Sequence, residues 1–87
     1  MGADDRVVLD RARDIIRERH MDTIAERRRP GRWVSTSPAE RVALDRRYDA
    51  ERWAVQQIER SATIADALTR RDPLVRETVL LALGDLS

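Results

Sequence analysis

The chain contains no cysteine, no lysine and no phenylalanine, and it has only three glycines and three prolines. Without cysteine there is no disulfide, no thiol nucleophile and no thiolate metal site, and the redox compartment stays open. A single histidine, His20, excludes a zinc centre of three imidazoles, so neither a metal nor a cofactor is expected. Gly2, Gly31 and Gly84 lie too far apart to form a phosphate-cradling loop. The longest apolar run, Val79 to Leu83, falls far short of the ~20 residues of a membrane span. The opening residues, Met1 to Asp5, are polar and acidic, without the apolar stretch of a signal peptide. A cytoplasmic protein with no membrane partner is expected.

What the chain does have is charge. Arginine supplies all 17 basic residues against 16 Asp and Glu, so 38% of the chain is charged, compared with roughly 25% in an average domain. The exclusive use of arginine is what a GC-rich coding sequence produces. A net charge of +1 gives no global attraction to nucleic acid or an anionic surface, so any such binding needs a local patch. The 87 residues fit one helical domain, 1–87, which buries only about 60 to 65% of its unfolded surface. A hydrophobic content of 41% with near-balanced charge supports a folded core.

The spacing predicts an all-α fold, a small bundle or helical array of four to five helices. Val8, Leu9, Ala12, Ile15, Ile16 and Thr23 share one helical face, but Arg19 falls in its middle and His20 and Met21 fall outside it. A helix is therefore expected over about 4–20. A restart is expected over 23–28, capped by Thr23 with Glu26 three residues on. Pro30-Gly31 ends it, within a basic Pro-Gly connector at 27–37. Ser37-Pro38-Ala39-Glu40 is a capping signal for a helix over 38–60. One side of that helix carries Leu44, Tyr48, Val55 and Ile58, interrupted by Glu51, and Val42 and Trp53 recur on nearly the opposite side. Ser61 or Thr63 starts a short helix over 64–71, and Asp72-Pro73 starts a last one over 73–84. That last helix is apolar almost all round.

No enzyme is expected. His20, in the run Arg-Glu-Arg-His, reads as an exposed residue near a helix end. The serines and threonines lack a local base. Asp45, Asp49 and Asp66, with arginines nearby, read as surface helix pairs.

Two surfaces remain. The first is basic: Arg27, Arg28, Arg29 and Arg32 beside Trp33, which could track phosphates and stack on a base. Its Pro-Gly hinge is similar to an AT-hook, but the residues stand in a different order from Arg-Gly-Arg-Pro, so that function is not carried over. An ordinary basic helix end, with Trp33 folded onto the core, explains the same residues. The second surface is apolar: Val42, Trp53, Leu80 and Leu81. Trp53 is either covered by a neighbouring helix or anchors a partner, and a homodimer on this face would bury the surplus leucines.

Residues 64–86 carry two local resemblances. Ile64-Ala65-x-x-Leu68 followed by Val75-Arg76-x-x-Val79 resembles a helix-turn-helix, with Thr69 in place of the usual glycine. That resemblance implies DNA contact, to which Arg70, Arg71 and Arg76 would contribute. Asp72-Pro73-x-Val75-Arg76 with Ala82-Leu83-Gly84-x-Leu86 resembles the second helix of a HEAT repeat, which implies stacking against a neighbouring helix. A plain helical hairpin closing a bundle accounts for the same pattern and ranks ahead of both. The expected function is a small non-enzymatic interaction or regulatory module that docks another protein or itself. The alternative is a DNA- or RNA-binding regulator using the Arg27–Trp33 connector and the C-terminal hairpin.

Overall fold

The computed structural model describes residues 2–31 and 36–86, and all regular structure in them is helical. The chain order is α1 (Gly2–Arg28), α2 (Pro38–Arg60), α3 (Ile64–Ala67) and α4 (Pro73–Gly84). The all-α expectation holds, and two helices start and stop where their caps predict. At α2 the Ser37 hydroxyl accepts the N–H of Glu40 at 3.2 Å, and Pro38 takes the first helical position. At α4 one carboxyl oxygen of Asp72 accepts the N–H of Leu74 at 2.9 Å and that of Val75 at 3.5 Å. Between the open alternatives for α3, Thr63 is the cap, its hydroxyl accepting the N–H of Asp66 at 3.1 Å.

Two boundaries differ from expectation. The break expected near residue 20 does not occur, and α1 runs unbroken to Arg28. Thr23 caps nothing: it is buried, and its hydroxyl donates back to the Arg19 carbonyl at 3.1 Å, inside the helix. The polar residues that spoil the apolar phase are matched across the fold, Arg19 to Asp85 and His20 to Glu51, so the helix has no reason to stop there. The short helix expected over 64–71 ends at Ala67. Pro73 forces Asp72 into an extended conformation (φ −67°, ψ 115°), and the chain must leave the helix ahead of it. Gly31, at φ +74°, takes the left-handed conformation that begins the reversal after α1.

α1 and α2 form an antiparallel hairpin. Arg6 reaches the end of α2, Arg17 lies 3.7 Å from Glu59, and Arg27 lies beside Asp45, so the pairing runs in opposite senses along the two helices. α4 lies across one end of this hairpin and packs on both helices. The core sits at that junction: Leu9, Ala12 and Ile16 of α1, Ala50, Ala54 and Ile58 of α2, Ala67, and Val75, Val79 and Ala82 of α4. Alanines at half of these positions let the helix axes approach, and no aromatic ring is among them. The molecule measures 49 × 23 × 21 Å. A 27-residue helix is about 40 Å long, so the hairpin extends well past the twelve-residue α4. Beyond Arg19, which pairs with Asp85 at the end of α4, its far part, residues 20–28 and 38–48, is an arm of two helices that α4 flanks on one side at Leu74.

The opposite end is held by side chains of α1. One nitrogen of the Arg6 guanidinium donates to the carbonyls of Ser61 at 2.9 Å and Ile58 at 3.2 Å, the last acceptors of α2. Asp10 fixes the same guanidinium at 2.7 Å and 3.0 Å, while Asp5 accepts the N–H of Ile64 at 3.2 Å. Arg6→Ala is expected to lower stability by about 1–2 kcal/mol, because two partly buried carbonyls lose a charged donor. Arg11→Ala, on the exposed side of the same helix, serves as the control in urea melts and should change stability by less than about 0.5 kcal/mol.

Candidate interaction surface

The arm is held by polar contacts. His20, expected to be exposed, is half-buried: its Nδ1 lies 3.0 Å from a carboxyl oxygen of Glu51, which is itself 5% exposed. The imidazole sits 4.7 Å from the ring of Tyr48. The Arg27 guanidinium covers that ring at 4.1 Å, with Arg52 at 5.7 Å. Arg27 also places its Nε 3.3 Å from Asp45, so Asp45 pairs across the hairpin rather than along its own helix. His20, Tyr48, Glu51 and Arg27 therefore act as the arm's substitute for an apolar seam. Among the described residues, no three His, Asp or Glu side chains converge as a metal site would need. No helix is long and apolar enough to cross a membrane among the residues described.

The basic residues fall on separate elements. Arg27 is engaged with Tyr48 and Asp45, whereas Arg28 and Arg29 are exposed at the end of α1, Arg29 lying 3.8 Å from Glu26. Arg32 and Trp33 lie outside the described residues. Arg70 and Arg71 belong to the link between α3 and α4, lining a 470 Å³ depression with Gln57, Thr69 and Asp72. Arg70 stands 5.3 Å over the ring of Trp53, and Arg76 is exposed on α4. The arm also carries acids: Asp22, Glu26 and Glu40 line a 550 Å³ furrow between α1 and α2, floored by Ala43 and Leu44.

The four apolar candidates, Val42, Trp53, Leu80 and Leu81, are between 46% and 57% exposed. Val7 and Met21 on α1 and Leu74 on α4 are exposed as well; Leu74 was not singled out by the sequence, because a helix apolar all round gives no contrast between its sides. It matters because α4 starts beside α2. Leu74 walls a 650 Å³ groove with Pro38, Ala39, Val42, Ala43 and Arg46. Leu81 follows Leu74 by seven residues and shares its side of α4, while Leu80 lies about 100° round. Along α2, Ala39, Val42, Arg46, Asp49 and Trp53 follow one another at intervals of three and four, which places them in a single exposed stripe. The structure thus brings Val42 together with Leu74 and Trp53 with Arg70, and it leaves Leu80 on another side.

This chain matches no family model, no curated protein and no solved structure. Its surface has to be read on its own terms.

Proposed function

We propose that the protein is a non-enzymatic docking module whose working surface is the α2 stripe and the start of α4, and that its partner is a protein. The observation that carries this reading is the groove between Val42 and Leu74. It is wide and largely apolar, it is rimmed by Arg46, and no part of the described chain covers it. Trp53 extends the surface by two further helical turns, and a half-exposed indole beside an arginine is the side-chain type most often found at the energetic centre of interfaces. Hydrophobic side chains held on rigid helices lose little entropy on binding, which suits a preformed docking face.

The nucleic-acid alternative draws on the exposed Arg28 and Arg29, with Arg70, Arg71 and Arg76 elsewhere. Two features weigh against it: the acids Asp22, Glu26 and Glu40 share the arm with the first pair, and Arg27 and Arg70 lie against aromatic rings of the chain itself. The test is site-specific photocrosslinking in the producing cell, with benzoyl-phenylalanine placed at position 42 or at position 28. A discrete protein adduct at position 42 that disappears with Leu74→Asp is the expected result. Nucleic-acid adducts at position 28 with none at position 42, or no adduct at either, would overturn the reading.

A further inference from the structure

We infer that the occupant of this surface is a second copy of the chain, bound through an antiparallel, two-fold pairing of α2 with its counterpart. The inference rests on the docking reading above and names the partner.

A two-fold axis between Arg47 and Tyr48 of α2 matches each residue with the one whose number brings the sum to 95. Val42 then faces Trp53 of the second copy, and Arg46 faces its Asp49. Ala39 faces Gln56 at the margin. The two inner pairings are complementary, apolar against apolar for Val42 and Trp53 and opposite charges at the centre, and each occurs twice by symmetry. A stripe chosen at random seldom meets itself this way, since an isologous interface must be its own complement.

Three observations support it. Arg46 and Asp49 are exposed and make no ion pair within the described chain, unlike Asp45, which is taken by Arg27. The groove of 650 Å³ between Val42 and Leu74 lies opposite the incoming Trp53 and has room for an indole. The intervals of three and four along the stripe are those that let two helices pack side by side over several turns. From Ala39 to Gln56 the stripe is about 25 Å long, and its six positions make six layers of facing side chains.

The register makes a sharp experiment possible. Arg46→Asp puts two carboxylates opposite each other in each half of the dimer, and Asp49→Arg puts two guanidinium groups there. Each variant alone should lose self-association by on the order of 10- to 100-fold, since like charges would meet twice. Mixed in equal amounts, they restore opposite charges at both sites and should form the heterodimer in preference to either homodimer. Sedimentation velocity across micromolar to sub-millimolar concentrations reads the association, and native mass spectrometry of the mixture reads its composition. Trp53→Ala should weaken the wild-type dimer by on the order of 100-fold or more. All three positions are exposed, and unchanged far-UV circular dichroism verifies that each variant is folded.

A wild-type chain that stays monomeric throughout overturns the proposal, as does a dimer indifferent to both charge reversals. So does a mixture that fails to recover association after each variant has lost it, because the register would then be wrong. The two readings fail separately. A monomeric chain whose position 42 crosslinks to a different protein refutes the dimer and leaves the docking surface standing, whereas the absence of any protein adduct refutes both.

Discussion

Replacing His20 with leucine is expected to lower the unfolding free energy by about 3 kcal/mol, and adding Glu51→Leu to the same chain to restore most of that loss. Glu51 is 5% exposed, and one of its carboxyl oxygens meets Nδ1 of His20 at 3.0 Å. Removing the imidazole leaves a carboxyl group in a closed site without its partner, and the full desolvation penalty appears. Removing both replaces a polar pair with two leucines that extend the seam from Ile16 and Ala54 toward Leu44. Replacing a buried pair with apolar residues of similar volume is often neutral or favourable. Urea melts of the two single variants and the double variant close a cycle. A double variant as unstable as the sum of the singles would show that the sites do not interact. Arg27→Ala, which uncovers the Tyr48 ring at the same place, should lose only about 1 kcal/mol.

That pair also shows where the sequence could be read and where it could not. α2 and α4 were legible to the residue, because Ser37-Pro38 and Asp72-Pro73 fix their starts by local hydrogen bonds that need no tertiary information. The end of α1 was legible from Pro30-Gly31. The break expected near residue 20 was not there, because wheel arithmetic counts a polar residue on an apolar face as a fault whatever lies opposite it. Glu51 was the matching fault on α2, and the two become one feature only when the hairpin brings them within 3.0 Å. The same limit applies to the surface. The phase of α2 placed Val42 and Trp53 on a second apolar line but left open whether a neighbouring helix covers it, and only the packing of α1 and α4 against the other side leaves both residues exposed. Leu74 did not follow, because its role depends on where α4 lands beside Ala39 and Ala43. Local signals set the elements. The way α4 crosses the hairpin sets the groove.

The same crossing divides the molecule into a core of three packed helices and an arm of two, and this division gives the second large effect. Ile58→Ala is expected to cost about 3–4 kcal/mol, a large part of the roughly 4–13 kcal/mol that a chain of this length holds. Ile58 is fully buried among α1, α2 and α4, where rigid helices on three sides prevent collapse around the missing atoms. Leu44→Ala removes a similar volume from the arm but should cost less than about 2 kcal/mol. Leu44 floors a furrow already open to solvent, so water fills the space and no sealed cavity remains. Amide hydrogen exchange reads the same division without substitution. Amides of residues 9–16, 50–58 and 75–82 should exchange only through global unfolding, and those of 22–28 and 38–44 through local fraying at lower free energy. Equal losses from Ile58→Ala and Leu44→Ala, with uniform protection along α1, would mean that the arm is as cooperative as the core. Under the two-fold pairing the arm has a reason to be marginal on its own, since residues 39 to 46 would gain their missing neighbours from the second α2. Raising the protein concentration should then slow exchange at 38–44, while residues 75–82 at the inner face of α4 keep the rate set by the monomer's own core.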